Sequence, residues 1–168
     1  MGVHEEEFNQ SIITFEGADK RLEPLLLEKD RAFFKDFAHS PSKVKATTKA
    51  LKNQFKNRKL ITLLELHTFS RLNENFIGEY RDTLESADIK ILFYDPIAVE
   101  KKGLKNISET KIKNEFNDNN LIVFSNSNLL QICLKEYEYV NSNVLFMSSG
   151  NYASLNLDEI KDLVKNSQ

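Results

Sequence analysis

Short runs of apolar and β-branched residues alternate along the chain with longer runs in which apolar residues recur at helical spacing. The short runs are typical of strands buried on both faces, and the longer runs are typical of the helices that cover them. The pattern therefore predicts an α/β fold in three layers, a mostly parallel sheet of about six strands with helices on both faces. The predicted strands are residues 31–34, 60–65, 89–94, 121–124 and 143–147, with 12–15 as a weaker sixth.

Amphipathic segments between these strands predict helices, and several begin with recognisable capping residues. Ser40 precedes Pro41, and Asn156 stands three residues before Glu159, as in a capping box. The polar segment 95–106 contains Pro96 and Gly103 and is predicted to be a loop. The predicted helices are residues 41–55, 73–86, 108–116, 127–137 and 157–165.

Composition narrows the classes of protein to which the chain can belong. Its 168 residues, 40% of them hydrophobic, fit one domain with its own core. The net charge of -2 gives no reason to expect a nucleic-acid partner, and Cys133, the single cysteine, excludes a disulfide within the chain. Neither a membrane-spanning apolar run nor a signal peptide is present, so we expect a cytoplasmic protein without a membrane partner.

Several well-known catalytic patterns are absent from the sequence. The five glycines cannot form G-x-G-x-x-G or G-x-x-x-x-G-K-[ST], which excludes the dinucleotide fingerprint and the phosphate-binding P-loop. There is likewise no G-x-S-x-G elbow and no H-E-x-x-H zinc helix. A self-sufficient nucleotidase, hydrolase or metalloenzyme of these types is therefore not encoded.

Polar side chains follow the predicted strands, where an open parallel sheet binds ligands. Each taken alone also fits a plain turn, with Gly150 supplying a positive φ, but their recurrence at one edge favours a shared polar site. The segments concerned are 35–41, 66–71, 95–96, 125–126 and 148–152.

Four motifs along the chain resemble one family. They are FEGADKRLE from Phe15, KDFAHSP from Lys35, HTFSR from His67 and MSSGN from Met147. In this order they resemble the Rossmann-like carboxy-terminal domain of Mur ligases. The resemblance covers residues 12–168, and residues 1–11 are then a remnant of the preceding central domain or a linker.

The resemblance implies an ATP-dependent ligase that acts in peptidoglycan synthesis or recycling. Such enzymes form an amide bond between a UDP-N-acetylmuramyl carboxylate and the amine of an amino acid or a peptide, using ATP and magnesium. The resemblance implies an amino-terminal and a central domain beside this one, and the central domain supplies the P-loop and the magnesium ligands. We therefore expect this chain alone to be inactive, to hold no metal, and to bind no cofactor without those domains.

Six residues correspond by motif to functional residues of the family. Arg21 resembles the arginine that reaches the ATP phosphates, and Asp36 resembles the aspartate that holds the ribose hydroxyls. His39 resembles a residue that lines the cleft for the nucleotide and the acceptor. Guanidinium and carboxylate groups suit these tasks chemically. The residues expected to bind the acceptor are His67, Arg71 and Ser148.

The motifs also depart from the family pattern. Lys35 and Ser40 replace an acid and a histidine of the second motif, and Thr68 replaces the first arginine of the third. Thr68 weakens the expected grip on the carboxylate of a small amino acid, which favours the murein tripeptide (L-alanyl-γ-D-glutamyl-diaminopimelate) as acceptor over L-alanine. Two alternatives are a flavodoxin-like binding or regulatory module without catalysis and a structural domain without a small ligand.

Overall fold

The six strands of a single sheet organise the part of the chain that the computed structural model describes, residues 22–67, 76–101, 103 and 107–167. The first strand, β1, is antiparallel to β2, and the other four strands run parallel to β2. The order across the sheet is β1-β2-β6-β3-β4-β5. The strands are β1 (Glu23–Leu27), β2 (Ala32–Asp36), β3 (Lys59–Glu65), β4 (Ile89–Phe93), β5 (Ile122–Phe124) and β6 (Ser142–Met147).

Helices cover both faces of the sheet, as the alternating pattern predicts. One face packs against α1, α3 and a 3-10 turn, and the other packs against α4 and α5. The helices are α1 (Pro41–Gln54), α2 (Pro96–Lys101), α3 (Glu109–Phe116), α4 (Ser127–Lys135) and α5 (Leu157–Asn166), with 3-10 turns at Ile77–Tyr80 and Tyr152–Ser154.

The two hydrophobic cores follow from the two-residue period of the strands. Phe34 and Leu64 point into the core beneath α1, whereas their neighbours Phe33 and Leu63 point into the core beneath α4 and α5. All four of these side chains are at most 1% exposed. The prediction of a three-layer α/β fold is confirmed.

The segment predicted as a loop at residues 95–106 contains the helix α2, so that prediction is wrong for its first half. The Asp95 carboxylate accepts a hydrogen bond from the backbone N–H of Ile97 (2.9 Å), and Pro96 occupies the first helical position. Proline costs nothing there, because the first N–H groups of a helix have no partner within it. Val99 then packs into the core, fully buried.

The helix predicted for residues 73–86 is also wrong over its described part, since residues 73–75 lie outside the described residues. The chain forms a 3-10 turn at Ile77–Tyr80, and Asp82 then adopts a left-handed conformation (φ 57°) that ends any helical path. Packing overrides the amphipathic pattern here, because Ile77 and Tyr80 are fully buried and the Tyr80 ring stacks on Phe116 at 5.3 Å.

The strand at one edge of the sheet and one of the two predicted helix caps differ from the predictions. The sixth described strand is β1, which the pattern did not predict, and residues 12–15 lie outside the described residues. Asn156 caps α5 as expected, accepting from the N–H groups of Asp158 (3.0 Å) and Glu159 (3.4 Å). The Ser40 side chain makes no capping hydrogen bond.

None of the described helices combines the length and the apolar character needed to cross a membrane.

Candidate functional site

The carboxyl ends of three neighbouring parallel strands bring polar side chains together. Strand β6 lies between β2 and β3, and the chain leaves β6 on the opposite face from α1. Such a reversal opens a crevice at the carboxyl edge, where open α/β sheets bind ligands. The crevice lies between Asp36, the last residue of β2, Glu65, the last residue of β3, and Ser148, which follows β6.

Asp36 is a buried carboxylate, only 6% exposed, held by groups of its own domain. Its Oδ1 accepts from the backbone N–H of Ala38 (2.6 Å), and its Oδ2 accepts from the N–H of Leu22 (3.2 Å) and the hydroxyl of Thr47 (3.3 Å). A carboxylate accepts about four hydrogen bonds. Most of that capacity is therefore used within the domain, by Leu22, Ala38 and Thr47, which limits what Asp36 can offer to a ribose.

Glu65 is the second buried carboxylate of this edge, 4% exposed. Its Oε2 accepts a short hydrogen bond from the hydroxyl of Ser148 and another from the backbone N–H of Tyr152 (2.9 Å). Ser148 Oγ in turn accepts from the N–H of Gly150 (2.7 Å). One carboxylate thus fixes the whole turn that follows β6.

Gly150 lets this turn approach the end of β3. A Cβ placed on Gly150 would lie 2.5 Å from Cγ of His67 and 2.9 Å from Oε2 of Glu65. Among the described glycines only Gly103 has a positive φ, so Gly150 does not serve the plain turn that was one alternative for this segment. Gly150 is required for close contact, and that contact places the His67 ring beside Glu65, with Nδ1 to Oε1 at 3.9 Å.

Tyr152 joins the β2 end of the site to the β6 turn. Its hydroxyl donates to the backbone carbonyl of Asp36 (3.1 Å), which also accepts from the N–H of Ser148 (3.1 Å). Burial raises the pKa of the Tyr152 hydroxyl, and the negative charges of Asp36 and Glu65 raise it further. The hydroxyl therefore stays protonated and keeps its hydrogen bond to the Asp36 carbonyl. A cavity of about 250 Å³ opens here, lined by Asp36, Phe37, Ser148 and Tyr152 among others.

His39 lies on the same edge because it follows β2, but its ring turns toward its own loop. Its Nδ1 lies 2.6 Å from the carbonyl oxygen of Phe37, so this nitrogen carries the proton, since a carbonyl only accepts. The ring also packs edge-on against Phe37, with the centroids 4.8 Å apart. Phe37 is 41% exposed, which leaves an aromatic surface at the mouth of the crevice.

The structure places four of the six predicted site residues. Asp36 and Ser148 line the crevice, and His67 lies beside it against Gly150 and Glu65. His39 stands at its margin, whereas Arg21 and Arg71 lie outside the described residues. The sequence interpretation missed Glu65 and assigned no role to Tyr152. An acidic residue at the end of the apolar run KLITLLE was a signal for Glu65, since a buried carboxylate requires hydrogen-bonding partners.

A second cavity lies apart from this crevice, and the described residues contain no candidate metal centre. A larger cavity of about 500 Å³ lies between the carboxyl ends of α4 and α5, where Tyr137 and Tyr139 line it, and none of the strand-end residues reaches it. Within the described ranges no three His, Cys, Asp or Glu side chains group as a metal site would require.

Comparison with known proteins identifies the family. No family model matches the chain. The UDP-N-acetylmuramate–L-alanine ligase of Caldicellulosiruptor bescii is 31% identical over 112 residues, 67% of this chain and 24% of that protein. The enzyme of the same name from Fusobacterium nucleatum is 27% identical over 165 residues, 92% of this chain and 34% of that protein. This chain is a Mur ligase carboxy-terminal domain.

A solved structure supports the fold of this Mur ligase domain. A murein peptide ligase of Psychrobacter arcticus matches with a TM-score of 0.68 at 17% identity, over 92% of this chain and 32% of that one. The family and the Rossmann-like fold inferred from the four motifs are confirmed. The chain spans between 24% and 34% of the length of the two sequence relatives, so the activity of a whole enzyme belongs to the proposal that follows.

Proposed function

We propose that this Mur ligase domain works in an ATP-dependent ligase that joins an amine to the carboxylate of a UDP-N-acetylmuramyl precursor. The observation that carries the proposal is the crevice at the carboxyl edge, which Asp36 and Ser148 line and beside which His67 lies, although the three are far apart in sequence. Its supports are the four motifs and the relatives named UDP-N-acetylmuramate–L-alanine ligase.

The residues divide between two substrates in this proposal. Arg21, Asp36 and His39 serve ATP, and the exposed ring of Phe37 beside His39 suits the apolar face of a nucleotide base. Because groups of the domain already occupy most of the Asp36 carboxylate, a contact of Asp36 with ribose would use its remaining capacity only. The residues proposed for the acceptor are His67, Arg71 and Ser148.

Further domains and cofactors complete the proposed enzyme. ATP would activate the muramyl carboxylate as an acyl phosphate, and a central domain would hold the magnesium, as the resemblance to Mur ligases implies. We propose that residues 12–168 are the carboxy-terminal domain, that residues 1–11 belong to what precedes it, and that the protein acts in the cytoplasm. On this basis the 168-residue chain neither hydrolyses ATP nor ligates.

The proposal has two forms, which differ in whether the acceptor is a peptide or L-alanine. The departure at Thr68 favours the L-alanyl-γ-D-glutamyl-diaminopimelate tripeptide, whereas the names of the sequence relatives favour L-alanine. An assay of the full-length enzyme with UDP-N-acetylmuramate, ATP and either acceptor decides between them. Preference for L-alanine would contradict the tripeptide prediction, and turnover of neither acceptor would contradict the function itself.

Two substitutions and one binding experiment test the assignment of the site. In the full-length enzyme Arg21→Ala and Asp36→Ala should each lower ligation by roughly 10- to 1000-fold if they contact ATP in the transition state. Near-normal rates in both would contradict the ATP site. Enzyme-dependent ATP turnover by the isolated chain, or its tight binding of flavin or a phosphoryl donor, would favour a self-contained binding or regulatory module instead.

A further inference from the structure

The hydrogen bonds around Ser148 fix the direction in which its hydroxyl can act. Glu65 Oε2 also accepts from the backbone N–H of Tyr152 (2.9 Å), so this oxygen acts as an acceptor and has no proton to donate to Ser148. The single proton of the Ser148 hydroxyl is therefore committed to Glu65 Oε2. The backbone N–H of Gly150 donates to Ser148 Oγ from the other side (2.7 Å).

This geometry leaves Ser148 able to accept but not to donate. A hydroxyl oxygen has two lone pairs, and Gly150 uses one of them. A ligand that meets Ser148 in the cavity must then bring a donor of its own. A carboxylate, which has no donor, cannot satisfy that requirement, whereas an amine or ammonium group can.

The hydrogen bond from Ser148 to Glu65 acts in the same direction. A carboxylate that accepts a hydrogen bond from a hydroxyl polarises that hydroxyl, which makes its oxygen a stronger acceptor for a donor group of the ligand.

We propose that Glu65 is a positioning residue that turns Ser148 into a hydrogen-bond acceptor for the amine of the incoming amino acid or peptide. This inference rests on the proposed ligase function and deepens it. It makes the expected role of Ser148 more specific. Ser148 binds the nucleophilic amine of the acceptor, and other residues bind the carboxylate of the acceptor. It also gives Glu65 a role, since the carboxylate acts through the serine without touching the substrate.

A pair of ligands that differ only in the amine tests the inference in the full-length enzyme. The KM of the acceptor that the wild type uses is compared with the Ki of its desamino analogue, propionate for L-alanine or the propionyl peptide for the tripeptide. Ser148→Ala should raise the KM of the acceptor by roughly 10- to 100-fold, as loss of a hydrogen bond to a charged group does, and should leave the Ki of the analogue within about threefold.

Glu65→Gln separates the effect of the Glu65 charge from the effect of its hydrogen bonds to Ser148 and Tyr152. Glutamine retains an oxygen that can accept from Ser148 and Tyr152 but removes the charge, so the KM should rise by roughly 3- to 10-fold while the Ki of the analogue stays unchanged. Glu138→Gln is the matched control, because Glu138 is exposed and precedes the far end of β6. Neither constant should change in that variant.

The outcomes distinguish this inference from the function on which it rests. If Ser148→Ala weakens the acceptor and the desamino analogue equally, Ser148 contacts some other part of the acceptor and the inference is wrong. An unchanged KM in Ser148→Ala would overturn it as well. A wild-type enzyme that forms no amide from ATP and a UDP-N-acetylmuramyl precursor would overturn the proposed function itself.

Discussion

The backbone of Gly150 lies against the imidazole of His67, so close that a Cβ on Gly150 would stand 2.5 Å from Cγ and 2.6 Å from Nδ1 of the ring. The contact atoms lie at the base of the ring, so they can move away only if χ1 of His67 rotates or its backbone shifts. The turn after β6 can therefore lie this close to the end of β3 only because Gly150 has no side chain. Any larger residue must push the turn, the histidine or both away.

Gly150→Ala should for that reason separate the two halves of the acceptor site. We expect ligation by the full-length enzyme to fall by roughly 10- to 100-fold through misplacement of His67. Unfolding in urea should show a loss of about 1–3 kcal/mol from overpacking. Gly103→Asn is the control, because Gly103 has open space around it and asparagine tolerates a positive φ. Wild-type stability and rate in Gly150→Ala would refute the contact.

The fold could be predicted from the sequence because strand and helix periodicity reports directly which faces are buried. The strand ends could be predicted too, since the topology of an open parallel sheet places them at one edge. Asp95 and Pro96 show where the sequence pattern does not decide between a loop and a helix. The pair is both a turn signal and a helix start, and only the packing of Val99 into the core selects the helix.

The connections within the site could not be predicted, because they depend on atoms that the sequence does not order in space. Nothing in the sequence pairs Glu65, the last residue of β3, with Ser148, which follows β6; they meet only because β6 pairs with β3. The sequence allows Gly150 to be a plain turn residue, whereas its role is set by Glu65 and His67 at the end of β3. Strand ends are therefore predictable as a group, and their partners are not.

Asp36→Asn tests whether Asp36 organises its own domain. The Asp36 oxygens accept from two backbone N–H groups and the Thr47 hydroxyl, and an asparagine would turn an NH₂ donor toward one of these donors. We expect a loss of about 1–3 kcal/mol in the free energy of unfolding. The exposed Asp162→Asn is the control. A fall in ligation with no change in stability would instead favour a direct contact of Asp36 with ATP.

Arg31 anchors the last helix to the start of β2, and its removal should destabilise the domain. Its Nη1 donates to the carbonyls of Val164 (3.1 Å), Lys165 (3.4 Å) and Ser167 (2.5 Å), which the end of α5 leaves without helical partners. Arg31→Met should lower the free energy of unfolding by about 2–4 kcal/mol, since Arg31 is 9% exposed.

Amide hydrogen exchange gives a local test of the same role. The N–H groups of α5 should exchange faster in Arg31→Met, while those of α1, on the other face, keep their relative protection. Arg81→Met is the matched control, because Arg81 is exposed and lies on a turn away from α5. Equal protection of α5 in the wild type and Arg31→Met would show that the helix end does not depend on the guanidinium.

Asp88 links the stability of the domain to pH at the edge opposite the crevice. It accepts from the backbone N–H of Leu60 (2.7 Å) and the ammonium of Lys52 (2.6 Å). Burial raises the pKa of Asp88, but these two hydrogen bonds outweigh it and the pKa lies below its usual value. The resulting stabilisation is present above the unfolded pKa, about 3.9, and is lost as the pH falls through the lower folded pKa.

Asp88→Asn should therefore reduce stability at pH 7 and flatten its decline in acid below about pH 4. The effect should be about 0.5 kcal/mol, because the Asp88 side chain is 43% exposed and solvent screens the ion pair. Urea unfolding from pH 2 to 7 measures it, with Asp162→Asn as the exposed control. A decline in acid as steep as that of the wild type would mean that other carboxylates carry this part of the pH dependence.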